Sequence, residues 1–292
     1  MPRALDHLVL ASHDLEVQAQ LYRRLGFAVG GRNRHPWGTE NHIIQLQGAF
    51  LELIGLGAGF APPAASDAAA PFAGFLAGYL AQGEGLAMLA LRAADAKADI
   101  AAFAHSGIGT GAAFHFARTG KRLDGSDMQV AFTLAFAHSK LVTDAGFFTC
   151  QQHNPENFWN PAAQVHANTA THLNSVVMVA ENPSAHAEFL SHFCGEREML
   201  ATSMGIDIDT GGGRIEVLTP LAFEFRFGLT PLRQTPHLAA FRVGVRDMQA
   251  ALACLTDGNV PVHQHHGFAI VPPAAAQGAA VVFEADSSGS RI

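Results

Sequence analysis

The sequence predicts an α+β fold made of four copies of one unit, a strand followed by a helix and then by further strands. Each copy opens on an apolar strand, an acidic or amide residue then marks a turn, and a glycine ends the following segment. The four opening strands begin at Leu5, Leu86, Ser175 and Ala240. Because the copies are long and unevenly spaced, each is half of a domain and not a repeat of a stacked solenoid.

The first two units follow this plan through residue 152. In the first unit the apolar residues Val17, Leu21 and Leu25 recur at helical spacing, which predicts a helix over residues 15–25 and, later, a strand over residues 50–54. The second unit is preceded by a helix, and its own helix is followed by two strands. These segments are residues 71–80, 96–105, 129–135 and 147–150.

The last two units repeat the plan after a polar segment. Residues 153–171 are rich in Asn, Pro and Ala, which predicts a linker. Beyond it we predict a helix over residues 183–193, strands over 215–218 and 223–227 around Thr219-Pro220, and a final strand over 280–283. The chain therefore divides into two halves of two units each, residues 1–155 and 170–286.

Composition limits the possible functions. The chain has 292 residues with a formal net charge of -7 and no Lys/Arg-rich run, which argues against nucleic acid, because such binding depends on neutralising phosphates. The apolar stretches are interrupted by Glu, Gln and Pro, so we expect no membrane span. The opening strand follows Met1 closely and the three cysteines show no paired spacing, so we expect no signal peptide and a cytoplasmic protein with reduced thiols.

Several strings carry a resemblance to a known superfamily. Asp6-His7-Leu8-Val9-Leu10 resembles the opening strand of the vicinal oxygen chelate superfamily, which includes glyoxalase I and the extradiol dioxygenases. Three further strings are similar to its glyoxalase-like domain subgroup. They are His35-Pro36-Trp37-Gly38-Thr39-Glu40-Asn41 followed by Phe50-Leu51-Glu52-Leu53-Ile54, Arg122-Leu123-Asp124-Gly125, and Phe147-Phe148-Thr149-Cys150-Gln151-Gln152-His153.

This resemblance implies four βαβββ units that pair into two cavity-forming half-barrels, with metal ligands on the first and last strands of paired units. Side chains in a strand alternate between its faces. If Leu8 and Leu10 cover the helices, His7 faces the cavity, and Glu52 does so when Leu51 and Leu53 cover them. A neutral imidazole and a carboxylate suit one divalent ion, either iron, zinc or manganese.

The second unit departs from the superfamily pattern. The position that matches His7 is Met88, and if Phe148 and Cys150 face the helices, Thr149 matches Glu52. The ligand candidates that remain are Gln151 and His153, which share the face of Thr149, and we predict His153 as the third ligand. A solvent-exposed His153 at the start of the linker is the alternative.

We predict a metal-dependent enzyme of the glyoxalase or dioxygenase type that acts on a small oxygenated molecule and can form a homodimer. His7, Glu52 and His153 are the predicted ligands, and Glu52 is also the predicted catalytic residue. The predicted walls of the substrate site are Trp37, Asn41, Phe50, Phe147 and Gln151.

A second function stays open, since neither Met88 nor Thr149 suits a metal. It is a metal-free protein that binds or sequesters a small apolar molecule in the same cavity. In the C-terminal half, Ser175 and Ala240 occupy the opening positions, so we predict that half to be structural and expect Glu216→Gln to be nearly silent.

Overall fold

A computed structural model describes residues 2–111, 113–121 and 127–286. The string Arg122-Leu123-Asp124-Gly125 and the tail after Asp286 lie outside the described residues. The strands form two curled sheets of eight strands each, and the predicted α+β class is confirmed.

The first sheet takes its strands from the first half of the chain. They are β1 (Leu5–Ala11), β2 (Asn33–Arg34), β3 (Thr39–Gln45), β4 (Phe50–Leu56), β5 (Gly85–Arg92), β6 (Phe114–Lys121), β7 (Asp127–Ala137) and β8 (Gly146–Gln152). Their spatial order is β2-β3-β4-β1-β5-β8-β7-β6. The pairs β1–β4 and β5–β8 are parallel and every other pair of neighbours is antiparallel, so two βαβββ units meet at β1 and β5.

The second sheet repeats this arrangement. Its strands are β9 (Ala170–Val179), β10 (Leu200–Thr202), β11 (Gly205–Asp209), β12 (Arg214–Leu218), β13 (His237–Val245), β14 (His263–His265), β15 (Phe268–Val271) and β16 (Ala280–Ala285). Their order is β10-β11-β12-β9-β13-β16-β15-β14. The four units predicted from the sequence are therefore present, two in each sheet.

Seven α-helices connect or cover the strands in the described part of the chain. They are α1 (Leu15–Arg24), α2 (Ala70–Leu80), α3 (Ala96–His105), α4 (Pro155–Phe158), α5 (Ala187–Cys194), α6 (Pro220–Phe227) and α7 (Met248–Asp257). Short 3-10 helices occur at Pro161–Gln164, Pro183–His186 and Pro273–Ala275. None of the helices described is long and apolar enough to span a membrane.

The acidic turn residues of the sequence pattern are helix N-caps. Asp14, Asp95 and Asp247 each accept hydrogen bonds from two backbone amides in the first turn of α1, α3 and α7. Such caps stabilise a helix by about 1 kcal/mol each. An aspartate therefore caps the helix that follows the opening strand in three of the four units.

The two sheets share one hydrophobic core. Helices α1 and α3 cover the convex face of the first sheet, α5 and α7 cover that of the second, and the two helix layers face each other, with α1 against α7 and α3 against α5. Phe103 meets Phe193 at 6.1 Å between ring centroids, and Phe147 meets Phe193 at 5.4 Å. The halves are thus joined through a common interior.

The concave faces are closed by the two remaining long helices. Phe72 and Leu76 of α2 contact Val9 and the other inward residues of the first sheet, whereas Phe223 and Phe227 of α6 contact those of the second. The predicted strand over residues 223–227 is therefore wrong. Thr219 caps the segment by accepting from the amide of Ala222, and Pro220 lies in its first turn, both of which start a helix.

Candidate functional site

The candidate site is a cavity on the concave face of the first sheet. It encloses about 50 Å³ between the sheet and α2. Its polar lining residues are His7, His35, Asn41, Glu52 and Arg118. The rest of the wall is apolar, mainly the rings of Trp37, Phe50, Phe72, Phe116, Phe132, Phe148 and Phe158. A few polar groups in an apolar concavity are typical of a small-molecule site.

Strand alternation turns His7 and Glu52 into this cavity, as the sequence predicted. Leu8 and Leu10 lie in the core between the sheets, as do Leu51 and Leu53. His7 and Glu52 are 4% and 7% exposed. The burial of a carboxylate and an imidazole requires polar partners for both.

The carboxylate of Glu52 is held by Asn41. The Nδ2 amide of Asn41 donates to Glu52 Oε1 and lies 3.4 Å from His35 Nε2. Its oxygen accepts from Asn33 Nδ2 at 3.2 Å, which fixes the orientation of the amide group. Asn41 therefore binds only Oε1 of Glu52, and Oε2 lies on the side of His7.

His7 is held by its neighbour Asp6 and by two aromatic rings. Its Nδ1 donates to Asp6 Oδ2 at 2.7 Å. Its ring stacks on Phe50 at 4.2 Å between centroids and meets Phe148 edge-on at 5.3 Å. In a neutral imidazole that donates from Nδ1, Nε2 carries a lone pair. This Nε2 lies 3.9 Å from Glu52 Oε2, so two acceptor atoms converge in the cavity.

A chain of hydrogen bonds fixes Asp6 in turn. Trp159 Nε1 donates to Gln152 Oε1 at 3.0 Å, and Gln152 Nε2 donates to Asp6 Oδ1 at 2.9 Å. The guanidinium Nε of Arg92 lies 3.6 Å from the same oxygen. Asp6 is fully buried, so these contacts keep an acceptor on each side of its carboxylate. A carboxylate behind a histidine in this way sets the tautomer of the ring.

His35 belongs to the site although it was not among the residues predicted to form it. Its Nε2 lies 3.9 Å from Glu52 Oε1, its Nδ1 lies 2.8 Å from Thr39 Oγ1, and its ring stacks on Trp37 at 4.5 Å. Burial lowers the pKa of His35, Glu52 acts against this effect, and Arg118 adds to it, so the ring is neutral at pH 7. The sequence feature that pointed to His35 is its position in the same string as the predicted site residues Trp37 and Asn41.

Arg118 brings a positive charge to the cavity from β6. Burial lowers the pKa of its guanidinium, and the charge of Glu52 acts in the opposite direction. An arginine remains protonated under such conditions. The cavity therefore contains a carboxylate and a cation as well as two imidazoles.

The predicted orientation of β8 is wrong. Phe148 and Cys150 face the cavity, whereas Phe147 packs in the core between the sheets, against Phe189 and Phe193. Gln151 also faces the helices, where its Oε1 accepts from the backbone amide of Ala96 at 3.0 Å. Phe147 and Gln151 therefore do not line this cavity, in contrast to Trp37, Asn41 and Phe50, and Phe147 instead lines a neighbouring cavity under α2.

His153 does not reach the cavity either. It is exposed, and its Nε2 lies 2.7 Å from the hydroxyl of Thr133, which His115 also contacts. Thr133 sits between Phe132 and Leu134, the two residues of β7 that line the cavity, so its side chain points to the opposite face. The third ligand predicted from the sequence is therefore not near the other two.

Strand register identifies the positions that match His7 and Glu52 in the second unit. Glu52 pairs with Val9, two residues after His7, and Phe148 pairs with Ala90, two residues after Met88. The matching residues are therefore Met88 and Phe148 instead of Met88 and Thr149. Both are apolar, and neither can bind a divalent ion.

The second sheet has an ion-pair network where the first has its polar centre. Glu216 matches Glu52 by register, because it pairs with Val177, two residues after Ser175. Its carboxylate accepts from Arg242 Nη1 at 2.7 Å and from Arg226, and Arg242 also contacts Glu284. Burial alone would raise the pKa of Glu216, but Arg242 and Arg226 help to lower it. The acceptors of this half are therefore already occupied by arginines.

Asp6, His7 and Cys150 form a buried group with ligand atoms within 4.8 Å of one another, the one such group in the described ranges. As a metal site the trio fits poorly. The 2.7 Å contact of His7 Nδ1 with Asp6 is a hydrogen bond, and burial together with the charges of Asp6 and Glu52 raises the pKa of the Cys150 thiol well above its usual range. A ligating cysteine must be a thiolate.

Comparison with known families agrees with this architecture. Residues 5–194 match the family described as the glyoxalase-like domain. The chain belongs to this family of the vicinal oxygen chelate superfamily. This family assignment agrees with the superfamily resemblance seen in the opening strand and in the strings around Asn41 and Glu52. None of the curated protein sequences matches the chain.

Several solved structures have a similar fold. A hypothetical protein from Staphylococcus aureus superposes with a TM-score of 0.65 at 11% identity, over 97% of this chain and 99% of that one. A mutant of 4-hydroxymandelate synthase from Streptomyces coelicolor gives 0.55 at 15% identity, over 91% and 78% of the two chains. A xylose isomerase-like TIM barrel/4-hydroxyphenylpyruvate dioxygenase fusion protein gives 0.57 at 10% identity, over 100% and 50%. At these identities the likeness shows a shared fold.

Proposed function

We propose that this glyoxalase-like protein is an enzyme that acts, in the cavity of the first sheet, on a small molecule with oxygens on adjacent carbons. One observation carries the proposal: two buried acceptor atoms, His7 Nε2 and Glu52 Oε2, lie 3.9 Å apart in a cavity with apolar walls. With the His7 imidazole neutral, these two acceptors face each other and require hydrogen-bond donors or a cation between them. The two hydroxyl groups of a diol or enediol are such donors.

The residues of the site suit proton transfer beside a carbonyl group. In the proposed step Glu52 takes a proton from a carbon next to the carbonyl, and the electron pair of the broken C–H bond moves onto the carbonyl oxygen. Arg118 supplies positive charge that stabilises the resulting enolate. His7 Nε2 takes the proton of the neighbouring hydroxyl, whose carbon becomes the new carbonyl, and Glu52 returns its proton to the former carbonyl carbon. The proton held by His7 then passes to the former carbonyl oxygen, so the net reaction is isomerisation of a 2-hydroxy carbonyl compound.

A divalent ion, either iron, zinc or manganese, is the alternative occupant of the same two acceptors. His7 Nε2 and Glu52 Oε2 would hold it, because both are buried acceptors on one face of the sheet. When bound, such an ion stabilises negative charge on substrate oxygens as a Lewis acid. Catalytic sites usually have three protein ligands, and Met88 and Phe148 supply none, so we expect weak metal binding in the absence of substrate.

The test compares four proteins: the wild type, His7→Ala, Glu52→Gln and the control His153→Ala. Thermal shift is measured with 1,2-diols, 2-hydroxy ketones and 2-oxoaldehydes, and turnover with the two carbonyl classes, in EDTA and with Fe²⁺, Zn²⁺ or Mn²⁺. We expect stabilisation and turnover in the wild type and the control, and loss of both in the other two variants. Equal responses from all four proteins would place the activity elsewhere.

Metal-free binding of a small apolar molecule is a second candidate function. The observation that favours it is the pair of apolar residues, Met88 and Phe148, at the ligand positions of the second unit. In that case ligands would stabilise the protein equally with and without EDTA, and no compound would be converted.

Two broader expectations belong to the same proposal. Cys150, Cys194 and Cys254 are free thiols, which supports a reducing compartment such as the cytoplasm. The homodimer stays a prediction, which light scattering of the purified protein tests.

A further inference from the structure

A second cavity, of about 220 Å³, lies beside the first under α2. Phe72 and Phe148 line both cavities, and their rings meet edge to face with centroids 6.0 Å apart. Two aromatic side chains therefore form the wall between the polar centre and a larger space.

This space lies over the part of the sheet that lacks metal ligands. Met88, which matches His7, lines it together with its strand partner Gly146. A Cβ at position 146 would meet Met88 Cγ at 2.8 Å, so the glycine leaves room that a side chain would fill. Phe75 and Phe136 add apolar wall, whereas the polar residues Thr110, His138 and Thr143 are exposed at the rim.

We propose that the second cavity binds the apolar tail of the substrate whose oxygenated head lies at His7 and Glu52, an inference that rests on the function proposed above. The site would then take an amphipathic molecule, with vicinal oxygens at one end and an unbranched hydrocarbon chain at the other. The two halves of the cavity differ in chemistry just as the two ends of such a molecule do.

The size of the cavity limits the tail. A volume of about 220 Å³ holds about seven groups of the size of a water molecule. A chain of about six to eight carbons is therefore expected to fill it, at about 30 Å³ for each group. Beyond that length the chain passes the rim at Thr143 and meets solvent.

A route between the cavities requires Phe72 to move. Phe72 stands on α2, a helix that has no side-chain N-cap and contains Gly74 and Gly78. Both features lower the stability of a helix. Movement of Phe72 with the first turns of α2 would join the two cavities without disturbing the core between the sheets.

The experiment measures binding of straight-chain 1,2-diols, from butane-1,2-diol to dodecane-1,2-diol, by isothermal titration calorimetry. Each methylene buried in the tail site is expected to raise the affinity about three- to fourfold. The gain should stop when the tail beyond the two oxygenated carbons reaches about six to eight carbons, which is octane-1,2-diol to decane-1,2-diol, where the chain reaches solvent. An affinity that does not change with chain length would overturn the tail site.

Variants at the rim provide the control. Thr143→Trp is designed to cover the cavity from an exposed position, and Gly146→Leu to fill it from below. Both are expected to remove the dependence on chain length, whereas Thr230→Trp, an exposed threonine in the other half, should keep it. A chain-length dependence that survives in Thr143→Trp and Gly146→Leu would contradict the proposal.

His7→Ala separates the tail site from the proposed function. If only the tail site is wrong, binding in the wild type needs His7 but ignores chain length. If only the proposed function is wrong, the wild type and His7→Ala bind each diol with equal affinity, and both show the dependence on chain length. If both proposals hold, His7→Ala weakens every diol by a similar factor.

Discussion

The tautomer of His7 is determined by a short series of hydrogen bonds that begins at Trp159. Trp159 fixes the amide of Gln152, Gln152 then donates to one oxygen of Asp6, and His7 donates to the other. Each group in this series has a single consistent orientation. The lone pair of His7 Nε2 therefore faces Glu52 because of residues that lie outside the cavity.

Asp6→Asn should reverse this tautomer. The oxygen of the new amide would stay with Gln152 Nε2, so its NH₂ group would face His7 Nδ1 and place the imidazole proton on Nε2. We expect the ¹⁵N shifts of His7 to change from the Nδ1–H to the Nε2–H pattern and diol affinity to fall about 10- to 100-fold. The shifts of His35 serve as the internal control. An unchanged His7 pattern would show that Asp6 does not set the tautomer.

At the level of elements, α2 is a helix with low intrinsic stability above the candidate site. Gly74 and Gly78 are exposed, and a Cβ at either position would meet nothing within 4 Å. Glycine in a helix costs about 1 kcal/mol relative to alanine. Neither glycine is therefore required by packing, whereas both make the helix easier to open.

Gly74→Ala and Gly78→Ala should each raise the free energy of unfolding by about 0.5 to 1 kcal/mol. Because a more stable α2 opens less often, we also expect slower association of 1,2-diols in stopped-flow measurements. Gly107→Ala is the contrasting variant, since Gly107 has a positive φ of 69° and the substitution should destabilise. Unchanged association rates together with raised stability would mean that α2 does not control entry.

The ion-pair network of the second sheet changes the expectation for Glu216. This residue is 1% exposed and contacts both Arg226 and Arg242, so Glu216→Gln removes a buried charge that two arginines require. We expect the free energy of unfolding to fall by about 3 kcal/mol. This is near the low end for a broken buried ion pair, because both arginines keep access to water.

Glu52→Gln is the matched control for Glu216→Gln. An amide at position 52 can still accept from Asn41, so we expect a much smaller change in the midpoint of urea unfolding. Stabilisation by ligand should follow the opposite order. We expect Glu52→Gln to lose it and folded Glu216→Gln to keep it. Equal urea midpoints for the two variants would show that the arginine network adds no stability.

At the scale of the whole molecule, buried histidines make stability depend on pH. Burial lowers the pKa values of His35, His166, His186 and His237. His166 accepts from the Ala28 amide through Nδ1 and lies 2.9 Å from the Gln45 carbonyl through Nε2, an arrangement that needs a neutral ring. The histidines of the unfolded chain titrate near pH 6.5.

The folded protein therefore binds fewer protons than the unfolded chain below about pH 6.5. Stability from these residues is complete above that pH and is lost as the pH falls through their depressed pKa values. We expect a lower urea midpoint at pH 5.0 than at pH 7.5, and a smaller difference in His166→Gln, whose amide can keep both hydrogen bonds. Equal midpoints at the two pH values would contradict this origin of stability.

The sequence by itself determined the repeated unit and its first strands. In β1 and β4 the leucines alternate with His7, Phe50 and Glu52, so alternation alone assigned each side chain to a face. Asp14, Asp95 and Asp247 likewise indicated where three helices begin, because an N-cap bonds to amides only two or three residues away. Such features depend on neighbours in sequence, and a single sequence contains that information.

The tertiary structure decided what is packed on both sides or assembled from distant parts. Strand β8 is buried on both faces, so the adjacent Phe147 and Phe148 gave no indication of which one points to the cavity. The run from Pro220 to Phe227 is apolar enough for a strand, and its cap together with its place over the second sheet makes it a helix. Arg242 on β13 reaches Glu216 on β12 only because both strands pair with β9, one on each side. Pairing between distant segments has no local signal, and therefore the polar centre became complete only in the folded chain.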